Sequence, residues 1–172
     1  MKTSERADFF IEGVELLAKP YHYLASGLDN IFLLNGVTEK VTDYGPMVHI
    51  ENINGLHRAI GLHIVEKTEA MKGPEFRFLR KQMSLSQLEL ANHLGVTDQT
   101  IANYEKGKTG LGPADPFMRT CYLMHILPEQ TRLEVIKSMT ESPVLKVKKK
   151  LPEVPRRNIV EQWREEPQRA AA

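Results

Sequence analysis

The 172-residue chain is 41% hydrophobic and 26% charged, with a net charge of +1 and a single cysteine, Cys121. That composition suits one domain of moderate size, or one domain with a small appendage, and it supplies enough apolar material for a real core. It excludes a membrane span, since no apolar run reaches ~18 residues. It also excludes an internal disulfide and a CxxC metal pair. Acidic residues inside the apolar part of MKTSERADFFIEGVELL argue against a secretory signal, so a cytoplasmic protein is expected. The charge is unevenly spread. Residues 1–71 carry 6 basic and 10 acidic side chains, residues 72–112 carry 6 and 4, residues 113–143 carry 3 and 4, and residues 144–172 carry 8 and 4. A basic middle and tail behind an acidic front is compatible with nucleic acid, but the excess is too small to establish it.

In chain order, residues 1–18 are expected to form a short helix with Phe9, Phe10, Val14, Leu16 and Leu17 on its apolar face. Tyr21–Leu24 and Ile31–Leu34 read as strands separated by the turn residues 26–30. Asn35-Gly36 is a tight-turn signal. Val37 to Tyr44 alternates, Gly45-Pro46 breaks the pattern, and Met47–Ile50 is a short possible strand, which together predict a small antiparallel sheet. From Asn54 the period becomes helical, with Ile53, Leu56, Ile60 and Ile64 on one face. Pro74 is placed to open the next helix, with Phe76, Leu79 and Met83 inward.

Two short helices follow in close succession. Ser86 is the expected N-cap of Gln87–Leu94, with Glu89 completing a capping box. Gly95 ends that helix. Thr97 caps the next, Asp98 to about Lys106, and Gly107 ends it. The inner faces are expected to be Leu88, Ala91 and Leu94 on the first and Val96, Ile101 and Tyr104 on the second. Asp115-Pro116 opens a further helix to about Leu127, and Pro128 separates it from a last one ending near Met139. Residues 143–172 are basic and proline-bearing and are expected to be mostly disordered, with a short helix around Trp163.

A pair of short helices joined by a tight glycine turn and clamped by neighbours on both sides is a helix-turn-helix. Its second helix need only span a DNA major groove, which is ~12 Å wide and admits one α-helix. The outward residues of that helix include Asp98, Gln99, Thr100, Ala102, Asn103 and Lys106. Gln99 and Asn103 carry amides able to pair with adenine edges, with Asp98 and Thr100 supporting. Gln87 starts the supporting helix, where free backbone N–H groups favour a phosphate. Lys106, Lys108 and Thr109 follow the recognition helix and are expected to hold the DNA backbone. A plain three-helix core with solvated polar faces would share the amphipathic pattern. The agreement of two inner faces, the glycine and both caps favours DNA.

SQLELANHLGVTDQTIANYEKGK, residues 86–108, resembles the lambda-repressor (Cro/CI, XRE-type) helix-turn-helix. In that family an arginine on the first helix pairs with a glutamate at the end of the recognition helix and helps place a phosphate contact. The matching positions are Arg80 and Glu105. YHYLASGLDNIFLLNGV, GLHRAIGLHIV, GPEFRFLRK and PADPFMRTCYL extend the likeness to MqsA/YgiT-type antitoxins and their free-standing relatives, which are prokaryotic repressors that dimerise through the helical domain. The likeness spans about residues 20–127. It departs from the antitoxins proper in lacking their N-terminal zinc domain with paired CxxC motifs.

The resemblance implies a mainly α fold. A lambda-repressor-like five-helix domain over residues 72–142 is preceded by a small antiparallel β plus helix segment over residues 1–71 and followed by the disordered tail. Metal and cofactor sites are not expected. His57 and His63 are six apart, no HExxH occurs, and His22, His49, His93 and His125 read as surface or core residues. Cys121 reads as a small core residue. No GxSxG, Walker A or GxGxxG motif and no paired carboxylates stand out, so no catalytic residues are expected. The KVKKK run at 146–150 is either a solvated tail or a loose phosphate clamp. The expected function is a sequence-specific DNA-binding regulator, a repressor acting as a homodimer on a palindromic operator in double-stranded DNA at the nucleoid. The alternative is an antitoxin-like protein that binds a protein toxin through its sheet region and autoregulates its promoter.

Overall fold

The computed structural model describes residues 6–134 and 162–166. The elements in chain order are β1 (Ala7–Ile11), β2 (Tyr21–His22), a 3-10 turn (Leu24–Ser26), β3 (Ile31–Leu33), β4 (Val37–Thr42), β5 (Gly45–Ile50), α1 (Ile53–Glu66), α2 (Gly73–Gln82), α3 (Gln87–Leu94), α4 (Asp98–Glu105), α5 (Ala114–Ile126) and β6 (Trp163–Glu165). Residues 129–134 are also helical. The described part is mainly α, with a helix-turn-helix behind a small β region.

The helix expected at the N-terminus is instead the strand β1. Ala7, Phe9 and Ile11 are buried while Phe10 is only half-buried, a period of two rather than 3.6. Gly13, at φ +81°, ends the run, and Val14, Leu16 and Leu17 stand exposed. β1 owes its conformation to partners distant in sequence. It pairs in parallel with β3 (Ala7 opposite Ile31, Phe9 opposite Leu33) and antiparallel with β6 (Ile11 opposite Trp163, Phe9 opposite Glu165). The sheet order is β2-β3-β1-β6, so it is mixed and not the antiparallel sheet expected. β4 and β5 form a separate two-stranded hairpin, with Val37 opposite Ile50 and Thr42 opposite Gly45.

Asn35-Gly36 does not turn a hairpin. It joins β3 to β4, and the buried Asn35 side chain substitutes for a strand partner. Its Oδ1 accepts from the Ile11 amide at 2.7 Å, and its Nδ2 donates to the carbonyls of Ile11 at 3.0 Å and Val14 at 2.9 Å. These bonds occupy backbone groups where β1 runs out, the Ile11 carbonyl also receiving the Val14 amide at 3.4 Å.

The short helix expected around Trp163 is β6. The Trp163 ring is fully buried, and its Nε1 donates to the carbonyls of Glu51 at 2.9 Å and Asn52 at 3.1 Å. A Cβ on Gly36 would lie 2.7 Å from Ile11 Cδ1 and 2.8 Å from Trp163 Cη2, so glycine is needed there for space as well as for its φ of +68°. Glu165 Oε1 meets His63 Nδ1 at 2.7 Å, tying β6 to α1. The remaining residues of the tail and the KVKKK run lie outside the described residues.

One continuous core joins the sheet to the helices. It runs from Phe9, Ile31 and Leu33 through Leu56, Ile60 and Ile64 of α1 to Phe76 and Leu79 of α2, Leu90 and Ile101 of the helix pair, and Met118 and Tyr122 of α5. Of the apolar face expected for α1, only Ile53 is exposed. α1 and α5 cross closely at Gly61, where any Cβ would collide with the Tyr122 ring. Arg119 of α5 caps the C-terminus of α1. Its Nη1 donates to the carbonyls of Ile64 (3.0 Å), Val65 (2.9 Å) and Lys67 (2.7 Å), and its Nη2 to that of Glu69 (2.8 Å). The Ile64 and Val65 carbonyls are among those a helix end leaves without partners, and the Lys67 and Glu69 carbonyls tie down the chain that leaves it. Asp115 orients the guanidinium through a 2.6 Å bond to Nε and also accepts from the Met71 amide at 2.9 Å. Burial opposes ionisation of Asp115. The bonds from Arg119 and Met71, with the charges of Arg119 and Lys67, outweigh it and hold the carboxyl below its ordinary range.

Candidate nucleic-acid interface

The local signals that predicted the helix pair are realised as hydrogen bonds. The Ser86 amide donates to Glu89 Oε2 at 2.7 Å, and the Glu89 amide donates to Ser86 Oγ at 3.1 Å, a reciprocal capping box. Hydrogen bonding from the Ser86 side chain and from its amide holds the Glu89 carboxyl below its ordinary range. Gly95 closes α3 at φ +66°. Thr97 Oγ1 accepts from the Thr100 amide at 3.2 Å and caps α4. Gly107, also at φ +66°, follows the end of α4.

The inner faces differ from expectation at one place. Ala91 is buried and Leu94 half-buried, but Leu88 is 60% exposed and its neighbour Leu90 takes the core position at 1%. With only eight residues, α3 turns its apolar stripe through Leu90, Ala91 and Leu94, and Leu88 falls outside it. On α4, Ile101 is fully buried, and Val96 and Tyr104 pack against the core as expected.

Three helices converge on one carboxylate. Arg80 of α2 donates to Glu105 of α4 through Nε at 2.5 Å and Nη2 at 3.2 Å, a two-bond fork. Its Nη1 donates to the Leu85 carbonyl at 2.6 Å, bracing the turn into α3. Gln87 of α3 donates through Nε2 to the second Glu105 oxygen at 2.9 Å. Both members of the ion pair are nearly enclosed, with side chains 10% and 5% exposed. A buried pair is tolerable only when its remaining hydrogen-bonding groups are also met, and here they are. Arg77, one turn before Arg80, has its Nε 3.9 Å from Glu105 and remains exposed; nothing in the sequence had marked it. Gly73 gives α2 a close approach to α4, since a Cβ there would fall 2.5 Å from the Tyr104 carbonyl oxygen.

This frame fixes α4 and leaves its polar side outward. Asp98 and Gln99 are exposed, and Thr100 and Asn103 half-exposed. Gln99 Nε2 donates to Asn103 Oδ1 at 3.2 Å, so the two amides predicted to meet bases are already joined. Asp98 Oδ1 accepts from the Gln99 amide at 2.8 Å, and the Thr97 and Thr100 hydroxyls lie 2.9 Å apart. Lys106, Lys108 and Thr109 are exposed just beyond the helix. Glu105 is therefore committed to the interior, and the cations after it face solvent.

The other singled-out residues have internal roles. His57 lies between Tyr23 Oη at 2.8 Å and Gln82 Nε2 at 3.2 Å, and burial holds its pKa below the ordinary value. Cys121 is half-buried, and burial raises its thiol pKa. Among the described residues no group of three His, Cys, Asp or Glu side chains is placed to hold a metal ion, and no helix is long and apolar enough to cross a membrane.

Residues 76–114, which include this frame and the exposed amides, match the family described as helix-turn-helix. No curated protein and no solved structure matches the chain. Residues 76–114 thus form a helix-turn-helix of the XRE type, a domain that supports DNA binding of the kind transcriptional regulators use.

Proposed function

We propose that the protein is a sequence-specific repressor that binds a palindromic operator as a homodimer. The carrying observation is the Arg80–Glu105–Gln87 cluster. It fastens the recognition helix to two others from behind and leaves Gln99 and Asn103 outward on it. In this reading the two amides meet base edges in the major groove, with Asp98 and Thr100 supporting them. Gln87 keeps one amide hydrogen for Glu105 and turns the other to a phosphate. Lys106, Lys108 and Thr109 follow the backbone, and Arg80 and Glu105 set the register without touching DNA. A dimer places two such helices about one helical turn apart, and occupancy blocks polymerase.

Gln99→Ala should cost about 1–3 kcal/mol on cognate DNA and relax one base position, whereas Lys108→Ala should weaken cognate and scrambled DNA alike and flatten the salt dependence. Equal losses on both DNAs for Gln99→Ala would remove base reading from this helix. Sedimentation of the free protein should give a dimer or, with operator, two copies per site.

A second reading, binding of a toxin-like protein partner, rests on the β4–β5 hairpin. Val41, Tyr44, Met47 and Val48 are all exposed on it, more apolar surface than two strands need display. Co-purification with the product of a neighbouring small reading frame, lost when residues 38–49 are replaced by a short polar turn, would establish it.

A further inference from the structure

We propose that Gln99 and Asn103 read DNA as one coupled unit, with Gln99 taking an adenine and Asn103 restricted to a neighbouring guanine or thymine. This deepens the reading of α4 as the recognition helix and rests on it. Residues four apart on a helix share a face, and here they are joined by the Gln99 Nε2 to Asn103 Oδ1 bond of 3.2 Å. A primary amide has two N–H donors and one carbonyl acceptor group. The bond uses one of Gln99's two hydrogens and leaves it one donor and its carbonyl. Those match an adenine in the major groove, whose N7 accepts and whose N6 amino group donates. The same bond draws the Asn103 carbonyl along the helix towards Gln99, so that its second lone pair is turned away from the base that the NH2 group faces. Asn103 then presents only its NH2 group, which needs an acceptor-only edge. Guanine N7 and O6 or thymine O4 supply one, while the cytosine N4 amino group does not.

On the same face, Asp98 Oδ1 accepts from the Gln99 amide, and the Thr97 and Thr100 hydroxyls lie 2.9 Å apart. Turning both amides over would exchange the two residues' roles and leave the pair's joint demand unchanged: one adenine beside one acceptor edge. Independent amides would instead each accept adenine.

The test is selection of binding sites from randomised duplexes by the full-length protein, followed by affinity measurement on the winning site. Wild type should enrich adenine beside guanine or thymine. Asn103→Asp retains an oxygen for Gln99 Nε2 but exchanges donors for an acceptor. It should keep the adenine and move the second position towards cytosine, at lower overall affinity. Gln99→Ala and Asn103→Leu should each lose affinity on the winning site, and the double variant should lose about fivefold less than the product of the two. Circular dichroism and binding to scrambled DNA report any loss of fold separately. Enrichment of adenine at both positions, an unchanged second base with Asn103→Asp, or additive single losses would each overturn the coupling while leaving base reading intact. No enrichment by wild type would overturn base reading by α4 itself.

Discussion

Glu105 is the residue on which the DNA-facing geometry turns. Its two oxygens receive Arg80 and Gln87, and with them it joins three helices at one point. Because the pair is enclosed, removing one partner leaves an uncompensated buried charge, which costs far more than the pair contributes over an apolar substitute. Glu105→Ala is expected to lower stability by about 3–5 kcal/mol. The double change Arg80→Met with Glu105→Leu should lose much less than the sum of the single changes. Urea unfolding of the three variants checks this; a loss below about 1 kcal/mol for Glu105→Ala, in the range of a surface pair, would mean that the cluster is not enclosed in solution.

At the scale of elements, β6 is a clasp. Three residues of strand cannot hold themselves to a sheet edge by pairing alone, and the enclosed Trp163 ring supplies the difference. Trp163→Ala is expected to destabilise by about 3–5 kcal/mol and to unseat β6. Gly36→Ala should weaken the same seat from the other side, since its Cβ would press on Trp163 and Ile11. Hydrogen exchange should then report loss of protection at the β1 amides that pair with β6, with the amides of α3 and α4 unaffected. Uniform loss across both would contradict a local clasp. These elements also mark what a sequence reader can see. The capping box at Ser86 and Glu89, Gly95 and Thr97 act within a few residues, and the helix pair was legible down to its caps. The Arg80–Glu105 pair was legible only through the family resemblance. β1 and β6 are made by pairings between residues 24 or more apart, and no local pattern separates a five-residue strand at 7–11 from a helical turn. Arg119, Asn35 and Trp163 carry their roles through distant backbone carbonyls and amides, which composition and spacing do not reveal.

For the molecule as a whole, His57 couples the sheet region to α1 and α2 through Tyr23 and Gln82. Burial holds its pKa below the ordinary 6.5. The unfolded chain therefore takes up this proton at a higher pH than the folded one. The stability that depends on neutral His57 is fully present above 6.5 and declines as pH falls through the interval below it. Asp115 has a lowered folded pKa as well, so its contribution is lost further down, as pH falls below 3.8. The urea midpoint should fall between pH 7 and pH 5, and His57→Gln, which keeps hydrogen-bonding groups without a titration there, should fall less. An equal decline in both proteins would remove His57 from the account.

Base reading by α4 is tested by fluorescence anisotropy of the full-length protein with the labelled upstream region of its own gene, set against scrambled DNA of equal length at two salt concentrations. Base contacts made by α4 persist when phosphate contacts are screened, so a strong preference for the upstream region that survives the higher salt is predicted. Equal affinity for both DNAs, vanishing together as salt rises, would contradict it and leave only attraction between a basic surface and a polyanion.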